Sequence, residues 1–246
     1  MQPFSRGAYR ARLAASAADQ ARALALRHLV FRQMRGLGGK TDADRFDPLC
    51  QHVLVEEAAS GALVACFRSL TLADGRALGQ SYSGQVYDLS PLQGMAGPRI
   101  EMGRFCLAPD RHDPDILRLA WGAVTRLVDA AGAALLLGCT SFSGADPQRH
   151  AAALALLHSA HIGPTALRPL RKPGLKQVTL SGQGADARAG LAALPPLLRT
   201  YLGMGGWVSD HAVIDRDLDT LHVFTAVEIA KIPPARARAL RAIAAD

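Results

Sequence analysis

The stretch IEMGRFCLAP, residues 100–109, reads as a β-strand closed by a proline, yet it carries a carboxylate and a guanidinium in its middle. Strand alternation sets Glu101 on one face with Gly103, Phe105 and Leu107, and Arg104 on the other with Ile100, Met102 and Cys106. Neither set of neighbours suits a charge. Taking an unpaired ion out of water costs several kcal/mol, so each of the two needs a partner or a chemical task. A structural ion pair at a sheet edge and a functional pair both satisfy this strand taken alone.

The flanking segments supply the rest of a sheet. YRARLA (9–14) alternates like a strand, and SAADQARALALRHLVFRQMRG reads as a helix capped by Ser16 and stopped at Gly36. HVLVEE and ALVACFRSLTL, joined through a turn at Ser60-Gly61, predict a hairpin. After residue 109 come a helix from about Asp115 to Ala131, the strand ALLLGCTSF, and a helix around PQRHAAALALLHSAHI. From Gly163 the pattern weakens. LKQVTLSG and TLHVFTAVEIA are expected strands, LPPLLRTYLGMG a short helix or turn, residues 182–192 a mobile loop, and PPARARALRAIAAD a helix started by proline. The expected class is α/β, a mixed sheet with helices on its faces. No internal repeat or linker divides it, so a single domain over 1–246 is expected, with a core at about 8–165 and a C-terminal extension, 166–246, completing the fold.

Hydrophobic residues make up 49% of 246 positions, enough for a real core. The best apolar run, AAGAALLLGC, falls well short of the roughly 18 residues that span a bilayer. Arginines are scattered through the first twenty residues where a signal peptide would be apolar, so a cytoplasmic location is expected. The four cysteines show no paired spacing, and His158 and His161 lack companion ligands; no metal site is expected. Positive charge is concentrated: residues 1–47 hold nine Lys and Arg against four acids, and 111–176 hold eight against four. Such regions attract acidic proteins or anionic lipids. Only 5% of residues are aromatic and no nucleic-acid motif is present, which argues against DNA or RNA as a partner.

Several chemistries are absent from the sequence. No serine sits in a G-x-S-x-G elbow, and neither G-x-x-x-x-G-K-[ST] nor G-x-G-x-x-G occurs. What remains is a set of charges in or beside strands: Asp44, Asp47, Arg68, Glu101 and Arg104.

This order of elements, with its charged central strand, resembles the GNAT-type acyltransferases, which implies a mixed, mostly antiparallel sheet flanked by helices. In that fold a glycine-rich turn after the central strand usually cradles the pyrophosphate of coenzyme A. Here the turn is APDRHDPD, without a glycine. The departure implies no bound cofactor and an acyl donor carried on the phosphopantetheine of acyl carrier protein, whose acidic surface would meet the basic regions. Autoinducer (acyl-homoserine lactone) synthases are similar at Arg27 and Phe31, at Asp44 and Asp47, at Arg68, and at Glu101, Arg104 and Phe105, but carry a tryptophan before the acid pair that this chain lacks. The L-ornithine Nα-acyltransferases are similar over nearly the whole chain, through LRHLVFRQ, DADRFDPLCQHVLVEE, SYSGQVYDLSPL, EMGRFCLAP, LLLGCTSFSGADP and LPPLLRTYLGMGGWV.

That resemblance implies transfer of a 3-hydroxyacyl group from acyl carrier protein to the α-amine of ornithine, giving lyso-ornithine lipid. Glu101 would be the general base. Asp44 and Asp47 would meet the side-chain ammonium and Arg68 or Arg104 the carboxylate, with Arg27 and Phe31 on the substrate side. Phe105, Cys106 and the run Ser141, Phe142 and Ser143 would flank the acyl chain and pantetheine arm. The terminal helix, with Arg236, Arg238 and Arg241 beside Leu240 and Ile243, is a candidate for contact with the inner membrane. An autoinducer synthase and a non-catalytic carrier-binding module remain the alternatives.

Overall fold

The structure is a computed structural model and describes residues 1–38, 41–182 and 186–245. The chain divides into two compact units that interleave in sequence: residues 1–71, 102–133 and 234 onward form the first, and residues 72–101 and 134–233 the second.

In the first unit, β1 (Phe4–Arg6), β2 (Tyr9–Leu13), β3 (Gln51–Glu57) and β4 (Leu63–Leu72) form a sheet in that order, antiparallel from β1 to β4. Ala108 N–H donates to Val64 O at 2.8 Å and ties the end of β5 (Arg99–Leu107) to the start of β4. Helix α1 (Ala17–Phe31) starts where the Ser16 side chain accepts the Asp19 N–H, as expected of a capping serine. Its Ala23 and Leu26 pack on Leu54, Cys66 and Cys106, with Phe31 at the margin. Alternation then turns Val53 and Val55, both wholly buried, to the opposite face, and α3 (Pro114–Ala131) packs on β1, β2 and β3. Helix α7 (Pro234–Ala245) lies on α3: Leu240 is buried, Arg126 donates to Ala244 O, and a Cβ built on Gly122 would stand 3.0 Å from Ile243. The apolar side of the terminal helix, read from sequence as a membrane-facing stripe, is therefore spent on α3.

The second unit begins with the first half of β5, which pairs in parallel with β6 (Leu135–Ser143), Glu101 opposite Leu137. The order continues β6, β9 (Thr220–Glu228), β8 (Trp207–Asp215), β7 (Gln177–Thr179), all antiparallel. Short α2 (Ser83–Val86) follows a 3-10 turn, and α4 (Ala151–Ala160), α5 (Ala187–Ala193) and α6 (Pro196–Gly203) complete the unit. Phe142, Leu154, Leu157, Leu198, Val208 and Leu221 share its core.

Three expectations change. Strand β8 does not register in the sequence because its pairing with β9 shifts between Val208 and Ala212, and the intervening Ser209, Asp210 and His211 interrupt the apolar pattern. Of the loop expected over 182–192, residues 187–192 are helical, started by Asp186 accepting from Arg188 and Ala189 N–H; 183–185 lie outside the described residues. The strand expected over ALLLGCTSF runs instead from Leu135 to Ser143, so Ser141 and Ser143 both lie in β6, and Asp146 caps the next turn.

Candidate active site

Arg27 stands on the buried side of α1 and cannot remain there unpaired. Its Nε donates to Asp42 at 2.7 Å and its Nη1 to Asp47 at 2.5 Å. From β4, Arg68 reaches the same loop: Nη1 meets Asp44 at 2.6 Å and Asp47 at 2.7 Å, and Nη2 meets Asp44 at 2.8 Å. From β5, Arg104 adds contacts of 3.2 Å to both Asp42 and Asp44. Three arginines thus face three aspartates, and the loop between α1 and β3 is fastened to three elements of the first unit. Burial alone would raise the Asp47 carboxyl, but the bonds from Arg27, the Asp44 N–H and Arg68 pull it down to about 2. Asp44 is lowered in the same way: burial is the largest effect and opposes the shift, and Arg68 leads the group that overcomes it. Desolvation likewise opposes the Arg68 charge, and the two carboxylates hold its pKa above the ordinary value.

Alternation in β5 does not run through this site. Arg104 has φ of 53°, in the left-handed region that a residue with a Cβ seldom occupies. A Cβ built on Gly103 would lie 3.7 Å from Arg68 Nε, while Arg104 reaches Asp44, which Arg68 also binds. Neighbours 103 and 104 therefore both turn toward Arg68, instead of the opposite faces expected. Beyond the kink Phe105 stacks on Phe67, with centroids 5.9 Å apart. Cys106 is buried, its Sγ 3.6 Å from that of Cys66.

Glu101 lies in the second unit and is 6% exposed. Its Oε2 accepts the Tyr82 N–H at 2.9 Å and its Oε1 the Ser83 N–H at 2.7 Å, where α2 begins. Each oxygen of the carboxylate thus takes one backbone N–H, which fixes its orientation. Ser83 Oγ lies 3.5 Å from Cys139 Sγ on β6. The turn before α2 is tight: Ser81 Oγ accepts the Gly84 N–H, and a Cβ on Gly84 would fall 2.3 Å from Leu78 O. Burial first, and then the charges of Glu101 and Cys139, keep the Tyr201 phenol well above its ordinary pKa and so protonated. Phe142 sits in the core of this unit, with Ser141 and Ser143 exposed on either side of it.

Sequence reasoning paired Asp44 and Asp47 but passed over Asp42, the most buried of the three acids, whose signal was the D-x-D spacing itself. It quoted SYSG without assigning it a task. Small residues beside a buried glycine were the sign that backbone N–H groups are presented there. Among the described residues, no group of three or more His, Cys, Asp or Glu could hold a metal ion.

Residues 26–122 match the acetyltransferase (GNAT) domain family. The L-ornithine N(alpha)-acyltransferase of Rhodobacter capsulatus is 31% identical over 232 residues, covering 89% of this chain and 90% of that protein. The chain belongs to the L-ornithine Nα-acyltransferase family. A second member of the family, from Brucella abortus, is 30% identical over 92% of this chain and 86% of its own length. Among solved structures, the loading GNATL domain of CurA from Lyngbya majuscula superposes with a TM-score of 0.53 over 90% of this chain and 98% of that one. At 13% identity that likeness concerns the fold, a GNAT-like mixed and mostly antiparallel sheet with flanking helices. As a member of the L-ornithine Nα-acyltransferase family, the chain is an acyltransferase, and no helix among its described residues is long and apolar enough to cross a membrane.

Proposed function

We propose that this acyltransferase moves a 3-hydroxyacyl group from acyl carrier protein to the α-amine of L-ornithine, forming lyso-ornithine lipid at the cytoplasmic face of the inner membrane. The observation that carries the reading is the end-to-end likeness to relatives named for ornithine Nα-acylation. A thioester is already activated, so the enzyme's task is to free the amine of its proton. An ordinary α-amino pKa of about 7.7–8.0 leaves much of it protonated at neutral pH. Glu101 is assigned that proton, directly or through one water, as the buried carboxylate of β5 that the Tyr82 and Ser83 N–H groups hold in place. Of the arginine–aspartate network, Asp44 and Arg104 retain 23% and 15% of their side-chain surface exposed, and these two are assigned to the ornithine zwitterion. Asp42, Asp47, Arg27 and Arg68 hold the loop.

The donor assignment rests on the start of α3. A pyrophosphate would need the N–H groups there and their positive end of the helix dipole. Asp113 already accepts the Asp115 N–H at 2.9 Å, and Asp115 pairs with Arg118 at 2.9 Å and Arg6 at 3.4 Å. The Asp113 carboxylate thus competes with a pyrophosphate for an N–H at that helix start. No enzyme cofactor enters the scheme; the phosphopantetheine arrives with its carrier.

The deciding assay presents 3-hydroxyacyl carrier protein and L-ornithine to the purified chain and follows thiol release and N-acylornithine by mass spectrometry. Turnover with ornithine and little with acyl-coenzyme A is expected. Consumption of S-adenosylmethionine would replace the reading with an autoinducer synthase, and carrier binding without thiol release for any amine would replace it with a binding module.

A further inference from the structure

We infer that residues 164–176 dock this enzyme onto an anionic lipid bilayer. The segment, PTALRPLRKPGLK, has four cations, three prolines and no acid. Its shape is set by hydrogen bonds. Leu167 and Arg168 N–H both donate to Pro164 O, at 2.9 and 3.0 Å, and Leu170 exchanges both backbone hydrogen bonds with Asp88, at 2.9 and 3.1 Å. With its backbone held on both sides, Leu170 nevertheless leaves 54% of its surface in water, and Leu175, beside the left-handed Gly174, leaves 38%.

The charges around them divide into two pairs. Lys172 Nζ donates to Gly84 O, and Arg168 lies 3.7 Å from Asp210, so these two fasten the segment to its unit. Arg171, which also donates to Thr179 Oγ1, and Lys176 are exposed on either side of the leucines. Asp88 and Asp210 are the acids met by this segment, the first through its backbone and the second through Arg168. Exposed leucines between exposed cations match the boundary of a bilayer, where apolar side chains enter the acyl region and cations remain among anionic headgroups. An acidic protein is drawn by the same cations and is the alternative that the vesicle test separates. The fastening points also matter: Gly84 follows the Ser83 whose N–H donates to Glu101, so the surface is tied to the backbone that holds the assigned base.

The inference rests on the proposed lipid product for its purpose, but its test needs neither substrate. The whole chain is sedimented with vesicles of phosphatidylglycerol and phosphatidylcholine, and with phosphatidylcholine alone. Binding to the anionic vesicles only, weakening with salt, is expected. Arg171→Gln with Lys176→Gln should weaken it roughly thirtyfold, at about fivefold per cation. Leu170→Gln with Leu175→Gln should weaken it at least about tenfold. Circular dichroism and Tm should stay at wild-type values in both double variants, because the altered side chains are exposed. No affinity of the wild type for anionic vesicles, or wild-type affinity in both variants, overturns the inference. So does a loss confined to acyl carrier protein binding, which would make an acidic protein the occupant. Thiol release with soluble carrier and ornithine is measured separately, so failure of the docking surface and failure of the ornithine reading are told apart.

Discussion

Arg68 and Asp44 meet in a two-pronged ion pair, Nη1 to Oδ1 at 2.6 Å and Nη2 to Oδ2 at 2.8 Å, while the same Nη1 also reaches Asp47 at 2.7 Å. A planar guanidinium satisfies both acids at once; a lysine ammonium cannot reproduce that fork. Arg68→Met takes from Asp44 its main partner and from Asp47 one of its two arginines, and should destabilise the fold by about 3–5 kcal/mol. Arg68→Lys should recover less than half of the loss. Urea midpoints of the three proteins measure both effects.

The network also sets the acid limit of stability. Asp47 has a folded pKa of about 2 against an ordinary 3.8, and Asp44 is lowered in the same direction. In the unfolded chain these carboxyls take up protons first, so their contribution is complete above pH about 4 and is lost as pH falls toward 2. For Asp47 the amount is about 2 kcal/mol. Tm should fall over that window, and Asp47→Asn, already destabilised at pH 7, should show a shallower fall.

Glu101→Gln keeps the shape of the side chain but removes the proton acceptor. One of the Tyr82 and Ser83 N–H groups then faces an amide NH2, costing about 1–3 kcal/mol in stability. The loss in kcat/KM with ornithine should be greater than this, about 10²- to 10⁴-fold. The residual rate should climb with pH as the amine deprotonates unaided. A flat pH profile with near-normal turnover would take Glu101 out of the mechanism.

Arg104 holds a backbone conformation that favours glycine. Arg104→Ala and Arg104→Gly both lose the contacts to Asp42 and Asp44, yet only glycine relieves the backbone. The glycine variant should be the more stable by about 1 kcal/mol. Equal midpoints in urea would count against a strained residue at this position.

Donor choice can be moved at the start of α3. Asp113→Ser keeps a capping oxygen, and Asp115→Asn removes a negative charge from the first turn. The double variant should use acyl-coenzyme A with a lower KM than wild type while its rate with acyl carrier protein changes little. Steady-state kinetics with the two donors make the comparison.

Much of this organisation could be read from residue patterns. The strand with Glu101 and Arg104, the Ser16 cap, the hairpin of β3 and β4 and the proline-started last helix all declare themselves through periodicity and local chemistry. Long-range satisfaction of charge does not. Asp42 and Asp47 lie 15 and 20 positions from the Arg27 they pair with, and nothing in an apolar helix face announces which loop will supply the counter-charge. A left-handed Arg104 was equally hidden, since its own residue type argues against it, and it reversed the facing expected for the residues after Gly103. The bulge in β8 erased a strand because Ser209 and His211, both wholly buried, are polar positions inside the sheet: Ser209 Oγ accepts the Phe224 N–H of the neighbouring strand, a long-range bond that no local pattern announces.

Helix α7 packs on α3 in the unit that also holds the first strands of the chain. Strand β1 must therefore wait, as a nascent polypeptide emerges, for residues translated some 230 positions later, and that unit is not complete until the helix beginning at Pro234 has cleared the ribosome. For such a topology, synthesis and final packing are separate events, and termination anywhere before Pro234 leaves α3 without the helix that covers it.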